Sequence, residues 1–214
     1  MVRLLELFSG TGSVGNVFRS RGWEVLSLDM LMKADINIDI LEWNYKEYPP
    51  GHFDMIWASP PCTEYSKAKT TGVRRIGEAN KIVQKTLEIL TYFEPKFWVI
   101  ENPQTGLLKS QPFMSELSFN DVDYCKYGMP YRKRTRLWNN IEAWHPRPLC
   151  RRTCESMDNT GKKHKEVAQH SPQGAKVTWG NRSGFRRDEL YRIPTELVDE
   201  IFESISQFNH RWLS

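Results

Sequence analysis

Apolar residues along the 214-residue chain fall into short runs separated by glycine, proline and polar turns, and the period of the runs changes from segment to segment. Arg3 to Phe8 is apolar-rich and ends in Ser9-Gly10-Thr11-Gly12-Ser13-Val14-Gly15, the form of a strand feeding a tight turn. Val14, Val17 and Phe18 then repeat at helical spacing as far as Gly22. Trp23 to Leu28 predicts a second strand, closed by Asp29. Ile36-Asn37-Ile38-Asp39-Ile40 alternates and predicts a third, and Phe53 to Ala58 a fourth. Over 78–93, Ile82, Leu87, Leu90 and Phe93 mark an amphipathic helix, which Pro95 breaks. Phe97-Trp98-Val99-Ile100 predicts a fifth strand, ending at Glu101-Asn102-Pro103. At the far end, Pro194 suits the first turn of a helix, and Leu197, Ile201 and Ile205 share its spacing. Strands alternating with helices predict an α/β fold, an open and mostly parallel sheet with helices on both faces.

Residues 139–187 interrupt this rhythm. They are rich in Pro, Gly, His and Arg and poor in periodic apolar positions. The expected organisation is a core over 1–138, a small irregular insertion over 139–187, and a C-terminal helix over 188–214 that returns to the core.

Composition narrows the class. With 39% hydrophobic and 26% charged residues, the chain supports one globular domain with a small insertion. Mean hydropathy is −0.59, and no run approaches the ~18 apolar residues of a membrane span. The N-terminus runs straight into a predicted strand without a signal-peptide pattern. Cysteines at 62, 125, 150 and 154 lack the density of a disulfide framework, so a reducing, intracellular setting is expected. The net charge of +4 hides an asymmetry: residues 130–187 hold 14 Lys and Arg against four acids, and the rest of the chain is net acidic. A basic block on an acidic body points to a polyanion partner, although a solvated basic loop has the same composition.

The chemistry-bearing residues collect where ligands bind in open α/β sheets, beyond the C-terminal ends of the strands. The glycine loop follows the first strand, Asp29 the second, Asp39 the third, Cys62 the fourth and Glu101 the fifth. The loop lacks the full dinucleotide spacing and the P-loop lysine. Asp29, about 20 residues on, is where an acid binds ribose hydroxyls, and a strand-end cap is its structural alternative. Together they suit an adenosine-type cofactor. Cys62, fixed by Pro60 and Pro61 at a strand end, is placed for a reactive thiol, activated by nearby Lys67 and Lys69 and by the basic segment. Cys125 reads as an inert buried cysteine. Glu101 follows four apolar residues and is expected to be half-buried, able to carry a proton near neutral pH.

Leu7-Phe8-Ser9-Gly10-Thr11-Gly12, Ser59-Pro60-Pro61-Cys62, Glu101-Asn102-Pro103 and Arg132-Lys133-Arg134-Thr135-Arg136 occur in this order. Together they resemble the successive signatures of DNA (cytosine-5) methyltransferases, most of all the small viral and phage forms. The resemblance implies a Rossmann-like S-adenosylmethionine-dependent fold. It implies a Cys62 thiolate adding to C6 of a cytosine flipped out of duplex DNA, Glu101 protonating N3, and Arg134 and Arg136 pointing into the pocket. The implied cofactor contacts are Phe8, Ser9, Gly10, Thr11, Gly12, Ser13, Asp29, Met30, Asp39, Ile40 and Pro61. Asp29 would take the ribose hydroxyls, Asp39 the adenine amino group and Ile40 the adenine face. Residues 64–80, with Lys67, Lys69, Arg74 and Arg75, would form a loop closing over double-stranded DNA. Arg151, Arg152, Lys162, Lys163, Arg182, Arg186 and Arg187 of the target-recognition insertion would add contacts. The protein is expected to act as a monomer.

The chain also departs from the family. Arg132 stands where the Arg signature begins with Gln, after an extra residue beyond Gly128-Met129-Pro130. Arg192-Ile193-Pro194-Thr195-Glu196-Leu197 replaces the late Gly-Asn-Ser-Val signature. The short insertion suggests a short target sequence, such as a dinucleotide. Within it, Cys150, Cys154, His164 and His170 offer a structural zinc set, with loose packing or phosphate contact as the alternative. A tRNA-acting relative of the family keeps the same signatures, and a catalytically silent DNA-binding module keeps the fold. Amino-methylating enzymes do not match Ser59 and Cys62.

Overall fold

The computed structural model describes residues 1–70, 72–166, 168 and 187–210. Six strands form one sheet: β1 (Arg3–Leu7), β2 (Glu24–Leu28), β3 (Met55–Ala58), β4 (Phe97–Pro103), β5 (Phe119–Asp123) and β6 (Arg134–Asn139). Their order is β2-β1-β3-β4-β6-β5. The pairings among β2, β1, β3 and β4 are parallel, whereas β6 runs antiparallel to both β4 and β5. Among the described residues, four α-helices accompany the sheet: α1 (Ser13–Ser20), α2 (Ile76–Phe93), α3 (Arg187–Leu190) and α4 (Thr195–His210).

Helices cover both faces, as the α/β reading requires. On one face, Val14, Val17 and Phe18 of α1 meet Leu197, Val198, Ile201 and Ile205 of α4 over Leu4, Trp57 and Leu137. Phe18, Trp23 and Phe202 pack edge to face with centroids 5.0–6.0 Å apart, and Arg21 bridges to Asp199 and stacks on Phe202. On the other face, α2 buries Ala79, Val83, Thr86, Ile89, Leu90 and Phe93. Leu90 and Phe93 are buried as expected, whereas Val83 and Thr86 take the buried places expected for Ile82 and Leu87, which are only partly buried. Each fully buried apolar side chain of these layers contributes roughly 1.5–3 kcal/mol. The helix ends on Glu94, which adopts φ +46, and Pro95 prevents its continuation.

The expected third strand is reduced to a single bridge, Leu28↔Ile36. The segment curls instead, with the Asp39 carboxylate accepting the Leu41 N–H at 2.9 Å. Two strands were absent from the sequence expectation, β5 and β6. Their reversal brings the start of β6 and the end of β5 to the rim formed by the C-terminal ends of β1, β3 and β4. The chain direction diverges at β1, with β2 on one side and β3 on the other, which makes the crevice between the β1 and β3 loops the switch point for a ligand.

Candidate active site

The loop after β1 is built for close backbone approach. Gly10 and Gly12 hold φ +52 and +70, and Phe8 holds φ +58, a region that costs a bulky residue about 1–3 kcal/mol and clusters at ligand sites. Ser9 is tied back to β2 by its N–H to the Leu28 carbonyl, and Gly12 N–H reaches the Ser9 carbonyl. The Thr11 and Ser13 hydroxyls bond each other at 2.8 Å at the start of α1. Below the loop, Glu6 is 2% exposed and accepts the Gly15 N–H. A Cβ on Gly15 would collide with that carboxylate, so any larger residue there would displace the buried Glu6 side chain. Burial pushes the Glu6 carboxyl up to about 7, against the lowering pull of the Gly15 and Val14 N–H groups and of Arg19.

Asp29 is both strand-end cap and ligand candidate. Its Oδ2 accepts the Gly10 N–H, and its Oδ1 accepts those of Leu31 and Met32. A carboxylate offers about four lone-pair sites, so one acceptor position remains after these three. Met30 beside it is 57% exposed, an unusual setting for an apolar side chain. Asp39 is partly buried, and Ile40 is packed with Trp43 beneath the rim.

The Ser59–Cys62 turn is held from three sides. Ser59 N–H bonds the Leu7 carbonyl, Ser59 Oγ receives the Trp57 indole N–H, and the Asn102 amide donates to the Pro60 carbonyl at 2.9 Å. Asn102 thus fastens the cysteine turn to β4. Cys62 is a free, partly exposed thiol. Burial pushes it up, the Lys133 ammonium pulls it down, and the Glu101 carboxylate raises it again. The activation expected from Lys67 and Lys69 is thus corrected. Lys69 is spent on Glu64 at 2.6 Å, and Lys133 is the cation that the thiol feels.

Glu101 is 7% exposed, more deeply buried than expected. The hydroxyl of Tyr124, itself buried, donates to its Oε1 at 3.1 Å, and Lys133 Nζ lies 3.9 Å from the same oxygen. Lys133 also stands over the Tyr124 ring and bonds the Leu190 carbonyl in α3. The pairing of β4 with β6 sets Glu101 opposite Leu137 and Asn102 opposite Arg136. Strand alternation therefore gives the Glu101 face to Lys133, Thr135 and Leu137, and the other face to Arg134 and Arg136. This corrects the expectation for the two arginines. Arg134 forks onto Asp123 at 2.7 and 3.0 Å, and Arg136 onto Asp121 at 2.8 and 3.0 Å, stacked on Phe119. Only the positions opposite Glu101 in the ladder reveal this; the spacing of basic residues does not.

The loop after Cys62 is ordered by its own contacts. Glu64 accepts from Lys69 and from the Arg75 N–H, while the Arg74 guanidinium bonds the Ser66 and Lys69 carbonyls. Lys67 and the Arg75 side chain remain exposed. In the insertion, Arg151, Arg152, Lys162 and Lys163 are exposed on its surface. Arg187 opens α3, and Arg182, Arg186 and His170 lie outside the described residues. Cys150, Cys154 and His164 do come together, and among the described residues they are joined by Cys125 from the turn after β5. Cys125 is buried, as expected, and it also faces these three side chains. Its long sequence separation from the other three hid it. The four-residue cluster has a donor set compatible with zinc.

Among the described residues, no helix is long and apolar enough to cross a membrane. Residues 2–129 match the family model for C-5 cytosine-specific DNA methylase. A protein of Frog virus 3 (isolate Goorha), named probable DNA (cytosine-5)-methyltransferase, is 34% identical over 222 aligned residues, covering 94% of this chain and 99% of its own. Among solved structures, a prophage-encoded E. coli chain assigned as a DNA modification methyltransferase superposes with a TM-score of 0.52 at 15% identity. That match covers 70% of this chain but only 52% of the larger one, and at that identity it speaks for the fold alone.

Proposed function

The chain belongs to the C-5 cytosine-specific DNA methylase family, and on that premise we propose that it methylates C5 of a flipped-out cytosine in duplex DNA with Cys62 as the nucleophile. The observation that carries this reading is the convergence of the Cys62 thiol, the Glu101 carboxylate and the Lys133 ammonium at one rim, beside a loop shaped for backbone contact with a cofactor. The residues at that loop fit S-adenosylmethionine. Gly10 to Ser13 present backbone, Asp29 keeps one acceptor position for a ribose hydroxyl, Asp39 stands by for an amino group, and Met30 and Ile40 offer apolar cover. Bound there, S-adenosylmethionine supplies an electrophilic methyl group.

The protein's own groups prepare the base. The Cys62 thiol passes its proton to Glu101 Oε2 and adds as thiolate to C6, which makes C5 nucleophilic. Negative charge then moves toward N3. Both contacts to Glu101 fall on Oε1, so Oε2 is the oxygen offered to the base edge, where a shared proton at N3 neutralises that charge. Tyr124 and Lys133 hold the carboxylate in place. Once C5 carries the methyl group, water takes the C5 proton, N3 returns its proton to Glu101, and Cys62 leaves as thiolate, which restores the aromatic ring. The base must leave the stack to meet these groups. The exposed basic residues of the insertion and Lys67 give the duplex its electrostatic docking surface.

The test is transfer of labelled methyl from S-adenosylmethionine to duplex DNA, with bisulfite sequencing of the product. Label at cytosine C5, at one short recurrent sequence, supports the proposal. Transfer confined to tRNA would move the activity to RNA, and transfer to neither nucleic acid would favour a silent DNA-binding module.

A further inference from the structure

We propose that Cys125, Cys150, Cys154 and His164 bind one structural zinc ion that ties the basic insertion to the base pocket. The Cys150 and Cys154 sulfurs lie 3.6 Å apart, and His164 Nε2 lies 3.5 and 3.4 Å from them. With Cys125 Sγ, the four donor atoms all fall within 4.8 Å of one another. A disulfide would hold the two sulfurs at about 2.05 Å. A zinc tetrahedron with Zn–S of about 2.3 Å and Zn–N of about 2.05 Å has S···S edges near 3.8 Å and S···N edges near 3.6 Å. The three edges among Cys150, Cys154 and His164 match those of such a tetrahedron, and Cys125 Sγ supplies a fourth donor within 4.8 Å of the others. Three thiols and an imidazole fill every position, so the site is closed and structural rather than catalytic.

Two further observations give the ion a role. Cys150 is the single buried residue between His145 and Glu166, so this stretch has almost no apolar core of its own. Its order rests on turn bonds such as Asp158 N–H to the Lys163 carbonyl and on the Met157↔His164 bridge. A segment of that composition gains its folding energy from a metal. The Arg152 N–H already points at Cys150 Sγ at 3.3 Å, the kind of bond that supports a metal thiolate. The ligands also span the two parts of the site. Cys125 follows Tyr124, the donor to Glu101, and the Cys150 N–H bonds Asp123, the partner of Arg134. The ion would therefore set the insertion's position against the residues that receive the base.

The experiment reads the metal directly and does not depend on methyl transfer. Protein purified without metal-affinity steps is expected to carry one zinc per chain by plasma mass spectrometry, as a closed four-ligand site requires. Cobalt exchange should give the d–d bands of a tetrahedral ion and thiolate charge transfer from three sulfurs. Cys125→Ser should lose the metal, and His170→Asn should keep it. Should Cys125→Ser fail to fold, Cys125→His keeps four ligands and should show weaker thiolate charge transfer, with cofactor binding as the control for folding. Zinc-free wild-type protein that gives no tetrahedral cobalt spectrum overturns the site. Full zinc in Cys125→Ser, or its loss in His170→Asn, overturns this ligand set.

Discussion

The parallel half of the sheet, β2-β1-β3-β4, and its antiparallel edge, β6-β5 with the insertion, contribute to one rim by different means. In the parallel half the functional residues sit at the C-terminal ends of the strands or on the loops directly after them, Glu101 within the end of β4 and Cys62 on the loop after β3. Asn102 holds the Pro60 carbonyl, and Asp29 holds the Gly10 N–H. At the antiparallel edge, position in the ladder decides which side chain reaches the site. A shift of one residue exchanges Lys133 for Arg134 and moves a cation from the pocket to the far face. Strand-end positions of the first kind can be read from the sequence, whereas the ladder register that decides the second cannot. The same contrast appears in the carboxylates: Glu6 is buried and, among the described residues, makes no ion pair, whereas Asp121 and Asp123 are forked by arginines.

The largest effect should come from the parallel half. Cys62→Ser removes the only nucleophile proposed for the reaction and should cut methyl transfer by about 10⁴ or more, with DNA and cofactor affinity retained. Glu101→Gln keeps the shape but cannot pass a proton to N3, and should cost roughly 10²–10⁴ in turnover. Single-turnover transfer with equilibrium DNA binding on the same samples checks both. Substantial turnover by Cys62→Ser would assign the chemistry to another group and remove the parallel half's claim to the reaction.

Glu6 tests what an unpaired buried carboxylate does beneath the cofactor loop. Its folded-state value is raised from 4.5 to about 7, so the folded protein keeps a proton that the unfolded chain releases between those values. By linkage, this group's contribution is fully present below pH 4.5, falls as pH rises to about 7, and is flat above it, a span of about 3 kcal/mol. Glu6→Gln keeps an oxygen for the Gly15 N–H and removes the titration. Urea unfolding at pH 5 and pH 8 should show wild type losing more stability than the variant over that interval. Equal losses would mean that Glu6 is ionised in the folded protein throughout.

The difference between the halves also explains what the sequence revealed. The period of apolar residues marked β1 to β4, α2 and α4, because each buries one face against a helix or a sheet. The curl at 36–40 alternates like a strand, yet its acid caps a turn and only Ile36 pairs. β5 was hidden because its exposed Phe119 and its acids Asp121 and Asp123 read as loop, although arginines across the ladder neutralise both acids. Cys62 and Glu101 were legible as strand-end residues with no packing role. Lys133, Tyr124 and Cys125 were not, because their importance comes from partners in other segments of the chain.

The smallest effect is the sharpest test of the antiparallel edge. Lys133→Gln removes the cation that lowers the Cys62 thiol, so the thiol should rise further and less thiolate should form at neutral pH. The alkaline-rising limb of kcat/KM should move to higher pH, with less activity at pH 7.5, and Lys133→Arg should restore most of it. Arg136→Gln breaks a forked pair with Asp121 on the opposite face. It should cost about 1–2 kcal/mol of stability and leave the pH profile in place. A pH profile moved by Arg136→Gln and untouched by Lys133→Gln would put the arginine, not the lysine, in the pocket, and the β4–β6 register would have to slip by one residue to allow it.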